Sequence, residues 1–438
     1  MTKPSIAVVV LDTLRKDTFD RYFDWVPGAN FRNTYSTSHW TIPAHASLLT
    51  GRYASELEVH SKSRSFDCHE RSIAEVLRES GYSTRMWSEN VQINTADGWD
   101  RGFDQFLRQQ NLDPRFAGSI DWREFTSSSN WSGPRLYFEG LKRAALGSSA
   151  AVPSLLNGFR LYRAGMRLEG TTQDVLDRTR WTEFGDDEFL FVNLMTAHTP
   201  HHPPQPFRTF DERVNFQIGD AFAGAIENPD RNRRAYDDSA AYLSATYQKI
   251  FDELSKDFDY IVTLSDHGEL LGEHGLWNHG YGLHPELVRV PLVISADDIS
   301  SGDRFAAASL IDVSQTIAEL VGIDFESRGR DLLNTTASED RLVEYHGFLP
   351  WHREQFERKG VEEHYDELDS PLTGLVTPSN RYIYERHGNG LCSPTDDLQT
   401  GDRTRLQSAS TEIPECLSEG MDEVSGTVKE RLRDLGYA

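Results

Sequence analysis

Thr41 is a threonine whose surroundings would allow its hydroxyl to act as a nucleophile. Pro43 suits the first turn of a helix, and the small and apolar residues from Ala44 to Leu49 continue that helix. We therefore expect Thr41 just before the helix N-terminus, where backbone N–H groups and the helix dipole favour an anion. A hydroxyl there can attack a phosphorus or sulfur centre if a metal lowers its pKa. Taken alone, the pattern suits an N-cap threonine equally well.

Carboxylates and an imidazole that follow two apolar runs are candidate metal ligands. Asp12 comes directly after Ile6–Leu11, and Asp266 and His267 come just after Tyr260–Leu264. Short β-branched runs of this kind are typical of buried parallel strands, whose carboxyl ends gather ligands at one edge of a sheet. Each residue could instead be a turn residue or a cap. Two carboxylates that converge at that edge would need a cation to neutralise them.

Further histidines offer hydrogen-bond and proton donors near the same edge. Imidazoles in such turns can contact substrate oxygens or protonate a leaving group. We expect about two of them to act directly, and we single out His198 and His279. The full set is His198, His201, His202, His274, His279 and His284.

Strands and helices alternate along most of the chain. This alternation predicts an α/β fold with a mostly parallel sheet flanked by helices. The further predicted strands are Ser83–Trp87, Phe189–Leu194 and Val290–Ser295, and the predicted helices are Ser72–Glu79 and Ile311–Val321.

The pattern changes after about residue 330. Arg341–Tyr345, Gly374–Thr377 and Tyr382–Tyr384 suggest a smaller sheet, His387–Ser418 suggests a loop, and Val424–Leu435 suggests a last helix. We therefore predict a catalytic domain over residues 1–335 and a small C-terminal α+β subdomain over residues 336–438.

The composition limits the class of partner. Lys and Arg number 45 against 69 Asp and Glu, so the net charge is −24. Such a surface repels phosphate backbones and argues against nucleic-acid binding, while it resembles the surfaces of halophilic proteins. An ordinary acidic cytosolic protein is the alternative. The three cysteines predict no disulfide framework. We find no signal peptide and no membrane span, which favours a cytoplasmic location.

One segment, residues 140–168, is basic in an otherwise acidic chain. It has no acidic residue between Glu139 and Glu169, yet it contains several arginines. It could meet a membrane surface or an anionic substrate peripherally. It could equally be a helix pair whose arginines face acidic neighbours.

The order of the motifs resembles the sulfatase family of the alkaline-phosphatase superfamily. The match extends over most of the chain, and a chance match of so many ordered pieces is very improbable. The matching pieces are Asp12–Arg15, Thr41–Arg52, Gly81–Thr84, Gly98–Asp104, Ser265–Glu269 with Gly272–Gly275, Arg289–Ile294, Asp312–Ile323 and Leu435–Tyr437.

This resemblance implies an alkaline-phosphatase-like core and a covalent intermediate on the residue at position 41. It also implies a divalent metal held by Asp12, Asp266 and His267, to which we add the oxygen of Thr41. We expect one ion, since we find no Asp-x-x-x-His of the kind that two-metal relatives carry. Mn²⁺, Mg²⁺ or Ca²⁺ would suit mixed oxygen and nitrogen ligands, with Zn²⁺ as the alternative.

The departures from the family pattern bear on the substrate. Working sulfatases oxidise a Cys or Ser to formylglycine, which Thr41 cannot become, so no formylglycine is expected. His45 replaces the arginine that supports the aldehyde hydrate, and we count it among the catalytic residues. Thr13 replaces the second acid of an Asp-Asp pair, and Trp87–Asn90 stands where sulfatases have Lys-x-His.

A threonine nucleophile resembles the phosphodiesterases and the phosphoglycerol and phosphoethanolamine transferases of the superfamily. We therefore favour a phosphoester, of a small molecule or a glycan, over a sulfate ester. The alternatives are a sulfatase that works without formylglycine, a phospho-group transferase, and a non-catalytic binder of anionic glycans. The oligomeric state is left open.

Overall fold

The computed structural model describes residues 3–109, 112–113, 172–335 and 339–413, with isolated positions 139, 142, 153, 154 and 156. Apart from those positions, the basic segment 140–168 lies outside the described residues, as does the predicted helix over residues 424–435. Cys68 and Cys392 are free thiols, and Cys416 also lies outside the description.

The described part of the chain contains seventeen strands in four sheets. The strands are β1 (Ile6–Leu11), β2 (Ala29–Phe31), β3 (Thr34–Tyr35), β4 (Ser83–Ser88), β5 (Gln105–Arg108), β6 (Glu188–Leu194), β7 (Tyr260–Leu264), β8 (Leu270–Leu271), β9 (Trp277–Asn278), β10 (Arg289–Val290), β11 (Leu292–Ser295), β12 (Gly302–Arg304), β13 (Ala308–Ser309), β14 (Arg341–Tyr345), β15 (Leu372–Val376), β16 (Tyr382–Arg386) and β17 (Gly390–Cys392).

Helices connect these strands, and a short 3₁₀ turn covers Glu273–Gly275. The helices are α1 (Lys16–Tyr22), α2 (Thr41–Thr50), α3 (Ala54–Leu57), α4 (Ile73–Glu79), α5 (Val91–Thr95), α6 (Thr172–Trp181), α7 (Ile218–Phe222), α8 (Pro229–Leu254), α9 (Pro285–Val288), α10 (Ile311–Val321), α11 (His352–Lys359), α12 (Glu362–Leu368) and α13 (Asp402–Thr411). In this part of the chain, each helix is too short or too polar to cross a lipid bilayer.

The large sheet has eight strands in the order β12-β2-β11-β7-β1-β6-β4-β5. Five neighbours, β7-β1-β6-β4-β5, run parallel, and β11 alone runs against the rest of the sheet. The predicted mostly parallel sheet is therefore confirmed.

The central strand β1 shows why these apolar runs form strands. Every residue of β1 is buried, with alternate side chains in two different core clusters. Ile6, Val8 and Val10 pack on one face, and the three residues between them pack on the other. A strand that is covered on both faces needs apolar residues at every position, which is the pattern that the sequence has.

The predicted strand Val290–Ser295 is wrong as a single element. Pro291 divides it into β10, which pairs with β3 in a small sheet, and β11, which lies in the large sheet. Proline has no N–H to donate to a ladder, so the chain changes partners there. β11 pairs antiparallel with β7. The segment that joins the two strands lacks the long crossover helix that usually connects parallel neighbours.

The C-terminal region contains a four-stranded antiparallel sheet in the order β14-β15-β16-β17. Its first three strands confirm the predicted smaller sheet, while the predicted loop His387–Ser418 is wrong. β17 and α13 lie within this range. α13 has few buried residues, one of which is Leu406. α13 has too few apolar residues to show a helical hydrophobic pattern in the sequence. The domain boundary at residue 335 stays a prediction.

The small sheet is attached to the segment that leads to Thr41. Glu344, in β14, donates its N–H to Thr37 O at 2.8 Å, and its carbonyl oxygen accepts from Ser38 Oγ at 2.8 Å. Nearby, Arg341 Nη2 donates to Asp312 Oδ1 at 2.8 Å, and both side chains are buried. This ion pair joins β14 to α10, which packs on α2.

We expect Asp312→Ala to lower the free energy of unfolding by about 3–5 kcal/mol, because Arg341 would lose its buried partner. Asp366→Ala, which breaks the exposed pair with Arg353, should change it by less than about 1 kcal/mol. Urea unfolding of both variants measures this difference. Equal losses would show that the buried pair has no special part in joining the sheets.

Candidate active site

Two neighbouring parallel strands carry the candidate metal ligands. β1 and β7 pair in register, so Asp12 after one and Asp266 and His267 after the other meet at the same sheet edge. All three side chains are fully buried, and their ligating atoms lie within 4.8 Å of one another. The fold therefore brings these three residues together at one sheet edge, as the sequence predicts.

The oxygen atoms of Asp266 have different surroundings. Oδ1 accepts the N–H groups of Thr13, at 3.2 Å, and His267, at 2.9 Å. Oδ2 is buried and has no hydrogen-bond donor among the described residues, although it lies 3.5 Å from His267 Nε2. A buried carboxylate oxygen without a donor is costly unless a cation meets it. The donor set therefore fits a divalent ion.

The pKa shifts of the two aspartates also fit a bound cation. Burial acts to raise the pKa of Asp12, but nearby His267, His198 and His45 outweigh it, so the pKa falls to about 2. Burial and the charge of Asp12 instead raise the pKa of Asp266. The two carboxylates therefore resist being ionised together, and a bound cation would remove that penalty.

Thr41 is the first residue of α2, not the residue before the helix that we predicted. Trp40 is extended, with φ −153°, and takes the N-cap position without a side-chain cap. The Thr41 hydroxyl Oγ1 lies 3.3 Å from His267 Nε2 and 3.5 Å from Asp12 Oδ2. The structure thus brings the predicted nucleophile to the candidate metal ligands at a helix N-terminus.

His45 lies one turn further along α2 and is fully buried. Its Nδ1 is 3.0 Å from Thr41 O and 3.5 Å from Asp266 Oδ2, and its Nε2 is 3.1 Å from Asn193 Nδ2. Since the Asn193 amide group donates to this nitrogen, Nδ1 carries the proton of a neutral imidazole. Burial lowers the pKa of His45 in agreement. These contacts fit a residue that positions Thr41 and Asp266.

His198 and His279 lie together beside His267. The ring centroids of His198 and His279 are 4.9 Å apart, and those of His267 and His279 are 4.7 Å apart. His279 Nδ1 is 3.2 Å from Glu269 Oε1. Burial lowers the pKa of His198 to about 4 and that of His279 well below its ordinary value. Both imidazoles are therefore neutral near pH 7.

The other predicted histidines have different positions. His201 is buried against Phe216 and Tyr236, and the exposed His202 contacts Arg208. His274 and His284 stack on each other, with ring centroids 4.2 Å apart, in a separate cluster.

Two asparagines belong to the site and were missed as functional residues. Asn90 Nδ2 donates to Asp12 Oδ2 at 2.8 Å and to Thr41 Oγ1 at 3.2 Å. Asn193 Nδ2 donates to the same Asp12 oxygen at 3.0 Å. The sequence offered only a weak signal for them: Asn90 follows the end of β4, and Asn193 is a polar residue inside the apolar strand β6. Thr13, which replaces the second acid, donates its hydroxyl to Asp12 Oδ1 at 2.8 Å.

A small cavity of about 10 Å³, roughly the space that one water molecule needs, adjoins His279. Its walls come from the segment before Thr41, from the turn after β9 and from the C-terminal region. The lining residues are His39, Trp40, Asn278, His279, Gly280, Gly347, Leu349 and His352. Burial lowers the pKa of His39 well below its ordinary value, so the wall offers neutral imidazoles and an indole ring.

The fold and the site together define an ester hydrolase of the alkaline-phosphatase superfamily. The chain belongs to the sulfatase family, since the family model named Sulfatase matches residues 16–323. A choline-sulfatase of Rhizobium meliloti is 24% identical over 368 residues, which cover 74% of this chain and 69% of the relative. A low-salt glycan biosynthesis sulfotransferase, Agl7, of Haloferax volcanii is 30% identical over 171 residues, covering 37% of this chain and 41% of the relative.

Solved structures support the fold. The phosphonate monoester hydrolase SpPMH of Silicibacter pomeroyi aligns with a TM-score of 0.63 at 16% identity, and the alignment covers 99% of this chain and 96% of that chain. A phosphonate monoester hydrolase of Agrobacterium radiobacter aligns with a TM-score of 0.57 at 14% identity over 94% of each chain. At these identities the likeness establishes the architecture.

The hydrogen bonds that Asn90 Nδ2 donates to Asp12 and Thr41 lead to a testable prediction. Asn90→Ser keeps a side-chain oxygen that can cap α5, as Asn90 Oδ1 does for Gln92 N at 2.8 Å, but it removes the amide donor to Asp12 and Thr41. We expect metal affinity or kcat/KM to fall about 10–100-fold.

The matched control is Ser72→Ala, which removes the side-chain cap of α4, a helix that carries none of the candidate site residues. It should lower the free energy of unfolding by about 1 kcal/mol and leave kcat/KM unchanged. Calorimetric metal titration and steady-state kinetics of both variants measure the two effects. An Asn90→Ser protein with unaltered affinity and turnover would contradict a role for this amide.

Proposed function

We propose that this protein is a metal-dependent hydrolase of phosphoesters in which Thr41 is the nucleophile. The observation that carries the proposal is the position of the Thr41 hydroxyl, 3.3 Å from His267 Nε2 at the N-terminus of α2. Threonine is an alcohol in its unmodified form, so attack by Thr41 needs no prior oxidation to an aldehyde. A phosphorus centre is the substrate class that a serine- or threonine-type nucleophile with a metal ion commonly attacks.

We propose one divalent ion, held by Asp12, Asp266, His267 and Thr41 Oγ1. Such an ion supplies Lewis acidity that lowers the pKa of the hydroxyl and draws charge from the ester. Two carboxylates and an imidazole suit Mn²⁺, Mg²⁺ or Ca²⁺, with Zn²⁺ as the alternative. Asn90 and Asn193 hold Asp12 in place through their amide donors.

The side chains divide the reaction between them. The Thr41 hydroxyl loses its proton to water as its oxygen forms a bond to phosphorus. The bond from phosphorus to the alcohol oxygen breaks, and the departing alkoxide takes up a proton from water. The N-terminus of α2 stabilises the charge that develops on the phosphoryl oxygens. His198 or His279, as a neutral imidazole, donates a hydrogen bond to the oxygen of the departing alcohol. Water then cleaves the Thr41 ester and restores the hydroxyl.

The charge of the histidines narrows the substrate class. Burial keeps His39, His198 and His279 neutral. Neutral imidazoles donate hydrogen bonds but add no positive charge, so they balance a singly charged ester better than a doubly charged one. Phosphodiesters and phosphonate monoesters are monoanions, whereas phosphate monoesters are dianions above a second pKa of about 6. We therefore favour a diester or a phosphonate monoester.

Sulfate-ester hydrolysis is the second candidate. A sulfate monoester is also a monoanion, so the neutral histidines would suit it equally, and the relative in Rhizobium meliloti is a choline-sulfatase. This activity would have to proceed through the Thr41 hydroxyl, since threonine cannot become formylglycine.

Replacement of the nucleophile is the direct test. We expect Thr41→Ala to lower kcat/KM for its best substrate by about 10⁴-fold or more, because no other hydroxyl takes the place of Oγ1. Metal binding should be largely retained through the three remaining ligands. Thr50→Ala is the matched control, because Thr50 lies on the same helix and bonds to Ala46 O at 2.8 Å. Unchanged turnover in Thr41→Ala would exclude the covalent mechanism.

A substrate series tests the charge argument. The purified protein, at high salt with Mn²⁺, is assayed near pH 8 against a bis-aryl phosphodiester, an aryl phosphonate monoester, an aryl phosphate monoester and an aryl sulfate. We expect the first two to exceed the dianionic phosphate monoester by about tenfold or more in kcat/KM. Sulfate release that depends on Thr41 would establish the second candidate instead. A preference for the dianion would contradict the role given to the neutral histidines.

A further inference from the structure

A second group of ligating side chains lies apart from the catalytic residues. His274, His284 and Glu286 each offer one ligand atom, and these atoms all lie within 4.8 Å of one another. His274 Nε2 and Glu286 Oε2 are 3.8 Å apart, too far for a hydrogen bond. None of the three contributes to the steps described for ester hydrolysis.

Two of the polar atoms in this group are buried without a partner. His284 is 1% exposed, and its Nδ1 has no hydrogen-bond partner among the described residues. Glu286 Oε2 is also buried and unpartnered in that part of the chain. Buried polar atoms normally have partners, because an unmade hydrogen bond costs free energy. One ion between the three side chains would engage both atoms.

We propose that His274, His284 and Glu286 hold a structural divalent ion of the zinc type. Two imidazoles and one carboxylate form a ligand set that zinc prefers, whereas calcium and magnesium favour oxygen alone. Ligand atoms of a tetrahedral zinc site lie about 3.4 Å apart, given bonds of about 2.1 Å. To reach that distance, the side chains would have to turn toward a common point, which includes opening the stack of His274 on His284.

Solvent can complete the coordination. The side chains of His274 and Glu286 are 33% and 26% exposed, so a water molecule can reach the fourth position. The net charge of −24 also raises the local concentration of cations around the protein.

The site would brace the turn that carries the catalytic ligands. Gly268, in that turn, donates its N–H to Leu287 O at 2.7 Å. A Cβ at Gly268 would lie 2.0 Å from Glu286 O, so the catalytic turn packs directly on α9. An ion that joins Glu286 to His274 ties α9 to the 3₁₀ turn Glu273–Gly275. It would therefore stabilise the support of Asp266 and His267 without contacting the ester.

Metal titration of the full chain tests the proposal. Calorimetry with Zn²⁺ and visible absorption with Co²⁺ should reveal one equivalent that remains in the Asp12→Asn, Asp266→Asn double variant. Zn²⁺ should also raise the unfolding temperature of that variant, since it binds the folded state. In the unaltered protein, the same titration should give two classes of site.

Substitution of the ligands separates this site from the catalytic one. His274→Asn suits the left-handed backbone there, with φ 57°, because asparagine tolerates that region. His274→Asn and Glu286→Gln should each weaken the retained equivalent by about tenfold or more. The exposed His69 provides the control, His69→Asn, which should leave binding unchanged. A protein that binds only at the catalytic ligands, or that binds equally tightly in both ligand variants, would overturn the proposal.

Discussion

The burial of two carboxylates at one edge of the large sheet is the constraint on which the site depends. Asp12 and Asp266 are both fully buried, and they follow adjacent parallel strands. Like charges in such a place oppose each other's ionisation, which is seen in the opposite directions of their pKa shifts. The chain arranges donors around most of their oxygens, from Asn90, Asn193 and the backbone of Thr13. Among the described residues, one oxygen of Asp266 has no donor, which fits the proposed cation.

Thr41, the proposed nucleophile, is held by structure that is distant along the chain. Thr41 begins a buried helix, and the strand-like segment before it is hydrogen-bonded to β14 of the C-terminal sheet through Glu344. The buried pair of Arg341 and Asp312 joins the same strand to α10. The small sheet therefore helps to fix the position of α2. Gly347, Leu349 and His352, which follow β14 in the chain, line the cavity beside the site.

The chemistry of the site contrasts with the charge of the whole molecule. A chain with a net charge of −24 repels anions at long range. In the site, the charge of an ester would be met by the helix N-terminus, by neutral imidazoles and by an ion between the aspartates. Recognition of this kind depends on short-range hydrogen bonds and metal contact, which salt screens less than it screens the long-range repulsion.

The sequence by itself determined the central strands, the helix from Ile311 to Val321 and the convergence of the candidate metal ligands at the strand ends. It could do so because a strand that is buried on both faces must be apolar throughout, and because polar residues that follow parallel strands meet at one edge. The break at Pro291 and the antiparallel course of β11 required the tertiary structure, since pairing partners are not encoded locally.

The same holds for the site. Thr41, Asp12, Asp266 and His267 were found from spacing, and the proposal that they form a catalytic centre began there. Only the tertiary structure decided that Asn90 and Asn193 join them, since asparagines occur throughout the chain and their amide donors gain meaning only beside a particular carboxylate. It also decided which histidines meet, because proximity across the fold depends on how distant segments pack rather than on the spacing between them.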